Sequence, residues 1–259
     1  MLLRSITKHV RDQNWFAVFL DFFIVVAGIL IAFQITNWNE RREADVNLER
    51  AEAAIKAEVY LNYVNLKERV ALTQCRKESL RNLGQRLMEP GDDWERIYRD
   101  VEDTPEGPAF RSVLRSPNRP WMTSVWDAEL ARGSLNNMEQ DKWIALEGVY
   151  GVIKYVEVLQ EKIQTSQNQL IALAHTTQLS QADRLRYFDV VSELDINSYW
   201  MEFTAGQAIE AIENPEFGLN VNARELFSAD ELKQLNDLSL ERYGTCYSPV
   251  ILPFLKEAK

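Results

Sequence analysis

The sequence predicts an all-α protein: one N-terminal transmembrane helix continuing into a membrane-anchored, exported bundle of long up-and-down helices. Three observations lead there. An apolar run from Phe16 to Ile35 is long enough to cross a bilayer, later segments repeat apolar side chains at helical spacing between capping residues, and no stretch alternates apolar with polar residues between hairpin turns. The expected organisation is a cytoplasmic arm over residues 1–14, a transmembrane helix over 15–38 and an exported helical domain over 39–259, with a Pro-rich linker at about 89–121.

The membrane segment is argued from length and flanks. From Phe16 to Ile35 the ionisable residue is Asp21 and the other strongly polar one is Gln34. As a helix this run extends about 30 Å, the thickness of a hydrocarbon core. Trp15 and Trp38 bracket it at the depth of the aromatic belts. A cleaved signal peptide and a buried soluble helix are the competing readings; against the first, the run ends in "FQITNW" and not in the small residues of a cleavage site. Arg4, Lys8 and Arg11 precede the span, so the positive-inside rule places the N-terminus in the cytoplasm and the bulk of the chain outside it. For a bacterial chain the implied location is the inner membrane.

Asp21 is the anomaly in this helix. It lies about 8 Å from the midpoint between the two tryptophans. An acid at the bilayer centre costs about 2.5 to 3.5 kcal/mol, so either it leans to the near interface or it meets a polar partner. Gly28 and Ala32 fall within about 20° of Asp21 around the helix, and Thr36 continues the four-residue spacing. A small-residue row of this kind lets a second helix approach closely. Asp21, Gly28, Ala32 and Thr36 are therefore the expected contact face, with an integral membrane partner or a second copy of the chain as its occupant.

The stretch "GILIAFQITNWNE" with an acid upstream resembles the N-terminal signature of an uncharacterised family of bacterial single-span membrane proteins, a domain of unknown function. The matching residues are Asp21, Gly28 to Ala32, Gln34, Asn37, Trp38, Asn39 and Glu40. This chain departs from the pattern in having Asp for the commoner Glu, Phe33 for Leu, and Thr36 where Asn is usual. A looser similarity runs through "SVWDAELARGSLNNM". The resemblance implies an anchored, mostly helical exported domain and implies no reaction. It also marks Gln34, Asn37, Trp38, Asn39 and Glu40 as an interface signature.

In the exported part, residues 40 to 88 lack proline and carry apolar residues at Leu48, Ile55, Val59, Tyr63, Leu66, Val70, Leu80 and Leu87, so the membrane helix is expected to run on as a stalk. A second row, Leu61, Leu72 and Leu83, suggests a second buried face beside Cys75. Five prolines between 90 and 120 mark the linker, with a short helix expected at Trp94 to Val101. The next helix is expected over Met122 to Arg132 with Gly133 as a left-handed cap, and Asn137 with Gln140 offers a capping box for the one after it.

That following helix carries the sharpest periodicity. Val149, Val156, Ile163 and Leu170 are seven apart, as are Val152, Leu159, Ser166 and Leu173, which predicts a long helical partner, within the bundle or in an intermolecular coiled coil. Ser180 with Asp183 then caps a helix lined by Leu185, Phe188, Val191, Trp200, Phe203, Ile209 and Ile212, ending by Asn214 and Pro215. Ser228 with Glu231 caps a last helix that reaches Tyr243 and stops at Gly244. The two cysteines, Cys75 and Cys246, pair or remain two buried thiols. An oxidising compartment permits pairing, and closing so long a loop contributes up to about 5 kcal/mol in the chain-entropy model.

Composition narrows the function classes. Of the net charge of −10, the residues up to Trp38 carry +1, so the remainder is strongly acidic, which argues against nucleic acid as a partner. The histidines are His9 and His175; no zinc, di-iron, Walker or GxGxxG pattern is present, and no catalytic, metal or cofactor site is expected. Trp121, Trp126 and Trp143 flank the Gly133 turn and are expected to be core, with the lining of a pocket as the alternative. The expectation is a non-enzymatic accessory or scaffold protein of an envelope membrane complex; the alternative is a periplasmic ligand-binding or sensory module.

Overall fold

Apolar periodicity over most of the chain resolves into helices. The computed structural model describes residues 15–97, 118–214 and 228–252. They form six α-helices: α1 Trp15–Ala71, α2 Thr73–Leu87, α3 Ser124–Arg132, α4 Gln140–Gln169, α5 Gln181–Glu213 and α6 Ala229–Tyr243. Two 3₁₀ turns, Leu170–Ala174 and Gly244–Cys246, extend α4 and α6. Among the described residues there is no strand, and a single antiparallel bridge joins Asp93 to Gln178. The arm over 1–14, Pro105, Gly107, Pro108, Pro117 and Pro215 lie outside the described residues.

The chain divides into two units, Met1–Ala51 and Glu52–Lys259. The first holds the leading part of α1. Its 18-residue apolar window has a mean hydropathy of 2.3, and no residue of it is buried. Phe22, Phe23, Ile24, Val25, Leu30 and Ile31 are all exposed, so α1 is long and apolar enough to cross a membrane.

In the second unit α4 packs back along α5, and α2 packs on α5. The heptad of α4 is satisfied within the chain: Val149, Val156, Ile163 and Leu170 are buried, with Leu159, Ser166 and Leu173 on the companion row. Val152 is only half-buried. Ile153, one residue on, takes that core place at 0% exposure, because a straight 3.6-residue helix drifts against a strict seven-residue repeat. Opposite, α5 offers Leu194, Met201, Ala205, Ala208 and Ile212, all buried. Remaining in the second unit, α1 contributes Ile55, Val59, Tyr63 and Leu66 to the core. Each such side chain stabilises by about 1.5–3 kcal/mol.

Several sequence expectations are corrected. The stalk is not one helix: it breaks at Leu72 (φ −98°, ψ 2°), between α1 and α2. The break frees the Ala71 carbonyl, which accepts from the Ser248 N–H at 3.0 Å, so the C-terminal segment occupies the place of a helical bond. Of the second apolar row, Leu72 and Leu83 are buried but Leu61 is 45% exposed. Trp94 to Ile97 is not helical; Trp94 N–H donates to the Thr177 carbonyl and Ile97 N–H to that of Leu173, anchoring the segment on the turn after α4. Residues 98–101 of that expected helix lie outside the described residues.

Asn137 does not cap α4. The N-cap is Glu139, without a side-chain cap bond, because Gly133 N–H to Leu130 and Met138 N–H to Leu135 wind residues 133–138 into successive turns. On α5, Leu185, Trp200 and Phe203 face outward, and Tyr187, Val190, Leu194 and Met201 form the buried stripe instead. The remaining caps follow the expected chemistry. Gly133 is left-handed at φ 75°, Ser180 Oγ accepts from the Asp183 N–H, and Ser228 with Glu231 forms a complete capping box.

Candidate functional site

The expected contact face lies on one turn-after-turn row of α1. Asp21, Ala32 and Thr36 are exposed, and nothing stands within 4 Å of a Cβ built on Gly28, so the row is open along its length. The Thr36 hydroxyl donates to the Ala32 carbonyl at 3.0 Å, which satisfies its polar group within the helix. Gln34, Asn37, Trp38, Asn39 and Glu40 are likewise exposed. The Arg42 guanidinium sits 5.7 Å from the Trp38 ring centroid, a cation–π contact at the polar end of the apolar run. The arrangement offers lipid or another helix a continuous apolar surface with one carboxylate in it.

In the second unit, four polar residues of α1 hold the segment ahead of α3. Glu58, 4% exposed, accepts from the N–H groups of Val125 (2.8 Å) and Trp126 (3.1 Å) and from the Tyr150 hydroxyl (2.8 Å). A carboxylate thus sits against the open amides at the start of α3, where the helix dipole favours negative charge. One turn on, Asn62 donates to the Met122 carbonyl at 2.6 Å and accepts from its N–H at 2.9 Å. Asn65 donates to the Pro120 carbonyl, and Glu68 takes both arms of Arg119 at 2.6 and 2.7 Å. Trp126 stacks on Tyr150 at 4.9 Å and meets Trp143 at 5.4 Å; Trp121, Trp126 and Tyr150 are core, whereas Trp143, expected there too, is only half-buried. Burial, then the Glu58 charge, pushes the Tyr150 hydroxyl far above the ordinary tyrosine range.

A second polar cluster ties α2 to α5. Arg76 meets Glu202 in a two-pronged pair (2.5 and 2.7 Å) and Asp195 at 2.9 Å. Burial works against the Arg76 charge, but its bonds to Glu202 and Asp195 outweigh that and raise its pKa. Arg69, buried beside it, is lowered to about 10 by desolvation and donates to Gln160 Oε1 at 3.1 Å. Further along, Arg184 donates to the carbonyls of Arg86 and Asp93, and the guanidinium groups of Arg86 and Arg184 lie 4.7 and 5.5 Å from the Trp94 ring.

Cys75 and Cys246 form a disulfide with Cα atoms 4.9 Å apart, joining the start of α2 to the turn after α6. Asn236 on α6 secures the segment that follows. It accepts from the Tyr247 hydroxyl and the Val250 N–H and donates to the Val250 carbonyl, while Tyr247, Val250 and Leu252 are buried.

Between α2 and α5 runs an open groove of about 900 Å³. Leu80, Gly84, Phe188 and Val191 line it, Met88 and Tyr199 form its exposed lip, and Lys77 and Arg81 stand at its edge. Trp200 and Phe203 continue the aromatic surface, their rings 5.9 Å apart. Among the described residues no group of three His, Cys, Asp or Glu side chains has metal-binding geometry, and His175 lies exposed just after the 3₁₀ turn.

Sequence reading did not single out Glu58, Asn62, Glu68 and Arg76, nor the groove. Polar residues at 58, 62, 65 and 68 recur at helical spacing between core positions, a signal that the segment they face has polar groups to satisfy. No protein-family model, no curated protein and no solved structure matches this chain. The likeness carried by Asp21 and the Gly28 to Glu40 stretch rests on those residues alone.

Proposed function

We propose that this chain is a single-pass, membrane-anchored accessory or scaffold protein of a bacterial envelope complex. Its N-terminus lies in the cytoplasm, and the helical domain from residue 39 onward is periplasmic. The observation that carries the reading is the apolar window of α1, with a mean hydropathy of 2.3 and no buried residue, a surface that water disfavours and lipid accepts. The Cys75–Cys246 disulfide supports an oxidising compartment for the rest of the chain. Asp21, Gly28, Ala32 and Thr36 form the face that meets a partner helix, and no catalytic step is assigned.

Extraction in a mild detergent tests it: a membrane protein should co-purify in fixed ratio, and Asp21→Leu or Gly28→Ile should release it. A chain that purifies alone, with both variants behaving as wild type, would refute docking. Protease added to intact spheroplasts should digest the helical domain; protection of that domain would refute the orientation. The groove between α2 and α5 favours a second reading, an anchored ligand-binding module, which ligand-induced thermal stabilisation tests.

A further inference from the structure

We propose that the groove between α2 and α5 binds a long-chain fatty acid, with the acyl chain on the apolar floor and the carboxylate held by Lys77 and Arg81. The proposal gives the ligand-module reading its ligand class, and it stands apart from the docking of α1.

The groove measures about 900 Å³, within the range of clefts that enclose small molecules. Its floor is made by Leu80 and Val191, both buried, by half-buried Phe188, and by Gly84, whose missing side chain keeps the trough open. A Cβ at Gly84 would meet Phe188 Cε2 at 3.6 Å, so anything larger at this position occupies the trough itself. At the lip, Met88 and Tyr199 are 57% and 48% exposed, apolar surface that water leaves uncovered. Methionine and tyrosine are side chains suited to a flexible apolar ligand.

Charge selects the head group. Arg76 lies in the wall, but Glu202 and Asp195 already neutralise it. Lys77 and Arg81 are exposed, and among the described residues neither has an ion-pair partner. They stand four residues apart on α2, so their Cβ atoms lie about 5–6 Å from each other on one face and converge on a single anion. Lys77 and Arg81 stand toward the Arg76 end of the lining and Glu89 beside Met88 at the other, so one carboxylate on one chain is drawn to the cationic end; an acidic helix would need cations spread along the groove. In a chain of net charge −10, such a paired cationic edge also rejects a cationic amphiphile.

The experiment uses the full chain in lipid nanodiscs with a diazirine-bearing palmitic acid as probe, followed by digestion and mass spectrometry. Cross-links are expected within 80–88 and 188–199 and should disappear under excess unlabelled palmitate. Lys77→Glu with Arg81→Glu should weaken groove labelling by about tenfold or more, the scale of about 1.4 kcal/mol. The same variant should leave labelling by the matching palmityl alcohol probe unchanged. Ser192→Trp should block the trough for both probes, and because Ser192 is exposed on α5, in the lining of the groove, the larger side chain is added without disturbing the core. Labelling confined to α1, equal labelling by acid and alcohol, or a polypeptide cross-linked in the groove would each overturn the proposal. Since α1 variants leave this readout untouched, failure here and failure of partner docking are separate results.

Discussion

Replacing Glu58 by Ala removes the acceptor on which the start of α3 depends. Two of the donors it leaves behind are deeply buried: the Trp126 N–H, in a residue 4% exposed, and the Tyr150 hydroxyl, in a residue 1% exposed. Each stranded buried donor costs about 1–3 kcal/mol, and loss of the helix-start contact adds about 1 kcal/mol. Water reaches the Val125 amide and the exposed Ser124 once the side chain is gone, so those two add little. The expected loss is about 3–7 kcal/mol, a large part of the 5–15 kcal/mol that holds an ordinary domain together. Urea unfolding of the full chain in a mild detergent, followed by near-ultraviolet circular dichroism of the tryptophans, measures it. Tyr150→Phe completes a double-mutant cycle, with an expected coupling to Glu58 of about 1–2 kcal/mol. A loss below about 1 kcal/mol together with zero coupling would refute the claim that this carboxylate organises α3.

Arg76→Ala should cost about 3–5 kcal/mol in the same assay, because Glu202 is left buried without its partner, whereas Arg76→Met with Glu202→Leu should cost much less. Reduction of the disulfide, or Cys75→Ser, should lower stability by up to about 5 kcal/mol, since the bridge closes 171 residues of chain and acts mainly on the unfolded state. Burial foremost, with Glu231 adding to it, pushes Tyr60 up to about 12, and burial followed by the Glu213 hydrogen bond raises Tyr63 further. A raised folded-state pKa gives stability that is complete below the unfolded value near 10 and declines as pH rises through the folded value. The urea midpoint should therefore fall between about pH 10 and 12, and less so when Tyr60, Tyr63 and Tyr150 are all Phe; parallel pH profiles would show that these rings do not govern it. Ser228→Ala should destabilise α6 by about 1 kcal/mol, read as faster amide exchange in its first turn.

What could be read from sequence is what nearest neighbours along the chain decide. A long run without charge, a seven-residue apolar repeat and the serine caps at 180 and 228 are local signals, and helices form where they stand because hydrogen bonding and capping in a helix connect residues only three or four apart. Gly133 and Gly244 end helices at positive φ for the same local reason. The capping box expected at Asn137 failed because a turn run through 133–138 competed for the same residues.

Tertiary structure alone decided where α1 breaks, which face of α5 is core, and what the buried acids do. Leu72 gives no local reason to stop a helix; the break stands where the Ser248 amide, from the far end of the chain, takes the Ala71 carbonyl. Trp200 and Phe203 are as apolar as Met201, yet they face outward because α4 and α2 meet α5 on other sides. Glu58 and Glu68 read as surface charges until the amides of 125 and 126, the Tyr150 hydroxyl and the Arg119 guanidinium are laid against them, for an acid is stable in a core only where donors reach it, and the donors here come from residues 51 to 92 positions away.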